Sequence, residues 1–144
     1  MEMPILKFKL IDPNVVLPAY AHAHDSGMDV CSTWNGDILP HSFVLIPTGL
    51  VAEIPDGYEI QVRPRSGLQC KRGIVCAWGT VDTDYHGEIK VALYNHSDTA
   101  YTVNKGDRIA QFVLAPVVRA NVVRVDEINT NTDRGDGGFG STGK

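Results

Sequence analysis

The sequence predicts an all-β fold, a sandwich, barrel or jelly roll, on three observations. Short apolar runs alternate with polar residues at period two, turn residues punctuate them at close spacing, and no long amphipathic helix interrupts the pattern. In chain order, Leu6-Lys7-Phe8-Lys9-Leu10 alternates as a half-buried strand does, and Asp29 enters a strand after the turn at Gly27. Asn35-Gly36 marks a turn. Phe43 to Ile46 and Leu50 to Ile54 read as strands that Pro47-Thr48-Gly49 separates, and Pro55-Asp56-Gly57 turns the chain again. Tyr58, Ile60 and Val62 then alternate with Glu59, Gln61 and Arg63. Ser66 to Gly73 is a short helical turn that opens on a capping residue type and closes on glycine. Ile89, Val91 and Leu93 alternate with Glu88, Lys90 and Ala92 in a further strand. Lys105-Gly106-Asp107 turns the chain into Ile109 to Leu114, and Val117 to Val125 reads as the last strand. No internal repeat is present.

At 144 residues the chain is most simply one domain, with residues 1–133 as its β body and 134–144 as an arm of the same domain. Thirteen Lys+Arg against seventeen Asp+Glu give a net charge of -4, which argues against bulk nucleic-acid binding and against a polybasic membrane contact. Any phosphate must therefore be gripped locally. Cys31, Cys70 and Cys76 are odd in number and lack paired metal-type spacing, so a reduced compartment, cytoplasm or nucleus, is expected. The first residues are too charged for a signal peptide and no apolar run approaches membrane length.

The tail Arg134 to Lys144 carries glycines at 135, 137, 138, 140 and 143, which sustain neither a helix nor a packed strand. Phe139 is left without a hydrophobic neighbourhood of its own. A ring on a mobile backbone, flanked by Arg134 and by the hydroxyls of Ser141 and Thr142, suits a stacked flat base with its phosphates held by the polar groups. Such tails also occur as plain linkers, so support must come from the body. Pro64-Arg65-Ser66-Gly67 places Ser66 as an N-cap among free backbone N–H groups, with Arg65 as a fork for phosphate. Gly79-Thr80-Val81-Asp82-Thr83-Asp84-Tyr85-His86-Gly87 is a loop or hairpin presenting carboxylates beside a tyrosine. An aspartate there suits proton abstraction from water, and the tyrosine face suits a sugar. Asp29 suits a hydrated magnesium better than His22 and His24 suit any metal at such a site. Lys105 to Phe112, taken alone, is a structural turn and strand with Asp107 and Arg108 as a surface or interface pair.

Taken together and in order, DSGMDV at 25–30, PRSGL at 64–68, GTVDTDYHGEI at 79–89, KGDRIAQF at 105–112 and RGDGGFGSTG at 134–143 resemble the trimeric dUTP pyrophosphatases, from about Pro4 through Lys144. The resemblance implies a jelly roll or distorted β-barrel and a homotrimer whose active sites each draw on all three subunits, with the arm closing over nucleotide. It implies hydrolysis of dUTP to dUMP and diphosphate with Mg2+ as cofactor. By position, Asp82 would activate water, Tyr85 would stack beneath deoxyribose, and uracil would be read by backbone between Gly79 and Gly87. Ser66 would act at the leaving oxygen, and Arg65, Gly67, Gln111, Arg134, Ser141 and Thr142 would contact phosphate. Phe139 would cover the base and Asp29 would meet magnesium through water. Two positions depart from the family pattern: His86 stands where many members have Arg, and Cys76 where many have Asn. The related dCTP deaminases place a catalytic glutamate where this chain has Ala92, which cannot shuttle protons.

Overall fold

The computed structural model describes residues 2–143. The period-two alternation becomes strands β1 (Lys7–Leu10), β2 (Met28–Cys31), β3 (Gly36–Ile38), β4 (Ser42–Glu53), β5 (Tyr58–Arg63), β6 (Ile74–Cys76), β7 (Gly79–Val81), β8 (Ile89–Asn95), β9 (Tyr101–Val103) and β10 (Arg108–Pro116), with one helix, α1 (Ser66–Arg72). They form two four-stranded antiparallel sheets, ordered β1-β4-β8-β6 and β2-β10-β5-β7, and a ribbon of β3 with β9. From β4 to β8 the chain crosses between the sheets at every step, which gives the jelly-roll character expected from the sequence. One apolar face of each sheet must be buried, and the faces meet over Ile46, Leu50, Val91 and Leu93 from one and Val30, Ile60, Val62 and Phe112 from the other.

Three expectations fail. Asn35-Gly36 makes no turn, because Gly36 already opens β3. Pro47-Thr48-Gly49 does not separate two strands, because β4 runs through it with a register shift between Pro47 and Leu50 against β8. Gly49 takes φ 70° and the buried Thr48 hydroxyl donates to the Ile89 carbonyl, so the turn residues make a bulge that bends one long strand. Val117 to Val125 is not a strand within this chain. After the Val117 N–H bonds to the Gly57 carbonyl at 2.8 Å, Val118 and Val122 are 95% and 91% exposed. The turns at Pro55-Asp56-Gly57 and Lys105-Gly106-Asp107 form as expected, with Gly57 and Gly106 at φ 82° and 92°.

Candidate active site

One end of the β2-β10-β5-β7 sheet gathers a polar cluster. Gln111 of β10 lies opposite Asp29 of β2 on one side and Arg63 of β5 on the other, so the three share a row and a face. Just beyond that row Arg65 Nε stands 3.3 Å from one Asp29 oxygen, and Arg108 Nε stands 3.9 Å from the other. The Gln111 amide donates to the Pro64 carbonyl at 3.0 Å, and a side chain at Gly27 would strike the Gln111 carboxamide. Gln111 is therefore clamped between the DSG and PRSG segments. Asp107 is not the partner of Arg108; its carboxylate accepts from the Asn104 N–H at 2.8 Å and closes the turn. Arg108 is the member of this cluster that sequence reasoning left as structural, and only the pairing of β10 with β2 reveals it.

Ser66 does not cap α1. Arg65 is the N-cap, with extended φ and ψ of -87° and 131° and no side-chain cap bond, and Ser66 is the first helical residue. Its hydroxyl is thus left uncommitted to the helix. A side chain at Gly67 would meet nothing within 4 Å in this chain. At the other end of α1, Gly73 closes the helix at φ 67°, as its sequence position suggests.

The Asp82 segment forms a separate cleft of about 370 Å³, lined among others by Gly79, Val81, Asp82, Tyr85, Glu88 and Lys90. It is not a paired hairpin: β7 pairs with β5, β8 belongs to the opposite sheet, and residues 82–88 cross between them. Three bonds fix this loop. The Thr83 hydroxyl donates to the Ile54 carbonyl at 2.9 Å, the Tyr85 N–H to the Asp82 carbonyl at 3.1 Å, and the Tyr85 hydroxyl to the Glu88 carbonyl at 2.8 Å. At the edge of the cleft Trp78 precedes Gly79, and the Arg63 guanidinium stacks over its ring at 5.2 Å. Leu45 and Lys90 line the cleft although no motif singled them out.

Arg65, Ser66, Gln111 and Asp29 come together, whereas Asp82 and Tyr85 do not join them. Val81 lies opposite Ile60 while Gln111 lies opposite Arg63, so Asp82 sits four residues along the sheet and three strands across from Asp29. That is about 20 Å at ordinary strand spacings. The arm joins neither group. Phe139 is fully exposed at φ 51°, and the hydrogen bonds of 134–143 run among those residues and Thr132, including Arg134 Nε to the Gly137 carbonyl at 2.6 Å. Lys144 lies outside the described residues.

Cys76, one of the two departures, packs into the core, and burial pushes its thiol up to about 11. It offers the cleft no polar contact. Burial also raises the Cys31 thiol, against the opposing pull of Arg108. His86 is exposed and borders a surface hollow with Lys7, Lys9 and Glu53. His22 pairs with Asp25 at 3.2 Å. Among the described residues no three His, Cys, Asp or Glu side chains form a metal cage. Magnesium that keeps its waters and takes phosphate oxygens needs only a carboxylate at its edge, and Asp29, set between two guanidinium groups that draw phosphate, fits that donor set.

Comparison with known proteins identifies the family. The dUTPase family model matches residues 14–143. The deoxyuridine 5'-triphosphate nucleotidohydrolase of Picosynechococcus sp. is 48% identical over 99% of each chain, and that of Nautilia profundicola is 50% identical over 96% of this chain and 99% of its own. Among solved structures, the dUTPase of Staphylococcus bacteriophage 80alpha with dUpNHpp superposes with a TM-score of 0.91 at 28% identity, covering 97% of this chain and 99% of the phage chain. With the DSG, PRSG and KGDRIAQ segments meeting at one sheet end, the Asp82 cleft at the other and near-complete relatives at half identity, this chain belongs to the dUTPase family.

Proposed function

We propose that the two separated groups of side chains and the arm are the parts of one dUTP-hydrolysing site. The chain hydrolyses dUTP to dUMP and diphosphate. The observation that carries the assignment of residues is the cleft that Asp82 and Tyr85 line together with Gly79, Thr80 and Val81 of β7. A flat pyrimidine fits against the backbone of Gly79 to Gly87, the sugar lies on Tyr85, and Asp82 accepts a proton from the attacking water.

Water attacks the α-phosphorus, its oxygen forms the new P–O bond, and the bond to the bridging oxygen breaks to release diphosphate. Charge growing on that oxygen meets the Ser66 hydroxyl and the Arg65 guanidinium, while Gly67 and Gln111 border the phosphates. Arg134, Ser141 and Thr142 add donors from the arm, and Phe139 covers the base. Asp29 would hold Mg2+ through water, and the ion, when bound, neutralises triphosphate charge. A narrow backbone pocket excludes the thymine methyl group, and the donor and acceptor edge of cytosine is wrong for one built to uracil.

The same geometry supports a homotrimer with shared sites. Asp82 and Arg65 must both act within a few ångströms of one triphosphate, yet a single chain holds them near opposite ends of a sheet. The unpaired valines after Val117 and an arm whose hydrogen bonds over 134–143 reach no further than Thr132 point the same way. No helix among the described residues is long and apolar enough to cross a membrane.

Product chromatography after incubating the protein and magnesium with dUTP, dCTP, dTTP or UTP tests the reading. Only dUTP should be converted, to dUMP and diphosphate, and Asp82→Asn should lower kcat by roughly 10²–10⁴-fold while nucleotide binding persists. An Asp82→Asn enzyme as fast as the parent would remove Asp82 from the chemistry.

A further inference from the structure

We infer that Gly87 is a positioning residue for Tyr85, and through it sets the discrimination between deoxyribose and ribose. The inference rests on the proposed placement of the sugar against Tyr85. It begins from the Tyr85 ring, which is 46% exposed at the mouth of the Asp82 cleft and cannot be held there by core packing. Its hydroxyl reaches forward to the Glu88 carbonyl at 2.8 Å, so the side chain spans the backbone of the two residues that follow it. The ring therefore passes directly over Gly87.

A β-carbon at Gly87 would stand 2.6 Å from the Tyr85 hydroxyl oxygen, 2.7 Å from the ring carbon that bears it and 3.1 Å from the next. Gly87 is not one of the glycines with positive φ, so its backbone would accept alanine. Space, not dihedral freedom, is what requires glycine at this position. The clash lies with a tethered ring whose neighbours on the loop are fixed, because Thr83 is bonded to Ile54 and the Tyr85 N–H to Asp82. A methyl group at 87 must therefore tilt the ring off the Glu88 carbonyl, and a displaced ring no longer presents a fixed face where a 2′-hydroxyl would sit. None of the hydrogen bonds that fix the loop links Asp82 to Gly87, so the effect falls on sugar choice more than on attack by water.

The experiment compares kcat/KM for dUTP with that for UTP in four proteins: the parent, Gly87→Ala, Tyr85→Ala and the double variant. Gly87→Ala should lower the dUTP-to-UTP ratio by about ten-fold or more, and in the Tyr85→Ala background the same substitution should change it by less than about two-fold. An unchanged ratio in folded Gly87→Ala overturns the inference, as does an equal fall in both backgrounds, which would mean a backbone effect independent of the ring. Tyr85→Phe supplies a second arm should Gly87→Ala not fold: it removes the bond to Glu88 and leaves Gly87 alone. It should lower the ratio, and full retention overturns the claim that the ring is held in this way. Full discrimination in Tyr85→Ala would instead strike the sugar placement itself, so the two failures are distinguishable.

Discussion

Asp29 shows what a side chain's surroundings add to its identity. Its motif was visible in the sequence, but its pairing with Arg65 and Arg108 was not, because those residues are brought to it by strand register across a sheet. Ser66 shows the converse: the sequence marks a helix start correctly, yet the cap falls one residue earlier, since Arg65 already has extended dihedrals. Cys76 carries a pH dependence. Its thiol is pushed up to about 11 by burial, whereas an unfolded chain releases that proton near pH 8.5. Below about pH 8.5 both states hold the proton and the contribution of the buried thiol is intact. As pH rises from there towards 11 the unfolded state alone ionises, so stability falls, and above 11 it levels off. Thermal unfolding followed over that window should lose stability more steeply in the parent than in Cys76→Ala, in which the other titrating groups are unchanged. Parallel curves would mean that the thiol ionises equally in both states.

At the scale of elements, strands with one buried face were legible because alternation records which side chains meet the core. Ile89, Val91 and Leu93 are buried as their pattern requires. The three-residue strands β3, β6, β7 and β9 are too short to show a period; β6 and β7 form against the longer β8 and β5, and β3 and β9 pair only with each other. Pro47-Thr48-Gly49 misleads for a related reason: turn chemistry describes a local bend, and only the long partner strand β8 decides that the bend is a bulge. α1 has no fully buried residue and only Leu68 packs against the core, so its ends matter to its stability. Gly73 caps it in the left-handed region, and a β-carbon there would approach Ser97 no closer than 3.7 Å. Gly73→Ala therefore adds backbone strain without a clash, and should cost about 1 kcal/mol. A shifted urea midpoint at unchanged m-value is the expected signature, and an unmoved midpoint would show that the cap is dispensable.

For the whole molecule, the sequence contains every proposed catalytic part but cannot say which parts one chain brings together. Arg65, Gln111 and Asp29 are assembled by β2, β10 and β5, whereas Asp82 lies about 20 Å away by strand spacing and the arm stands apart. Val117 to Val125 has the composition of a strand and no sheet partner in its own chain, as expected of a segment whose partner belongs to another copy. Subunit mixing puts this to a direct test. On the proposed trimer, Asp82→Asn and Arg65→Ala subunits should each be nearly inactive alone, because every site then lacks one group the proposed mechanism needs. Refolded together in equal amounts, they should form mixed trimers in which some sites draw Asp82 from one chain and Arg65 from its neighbour. A site needing the two residues from different chains finds both intact with a probability of about one quarter, so about a quarter of parental turnover should return. A site built from one chain would recover nothing at any mixing ratio, since no subunit in the mixture carries both groups.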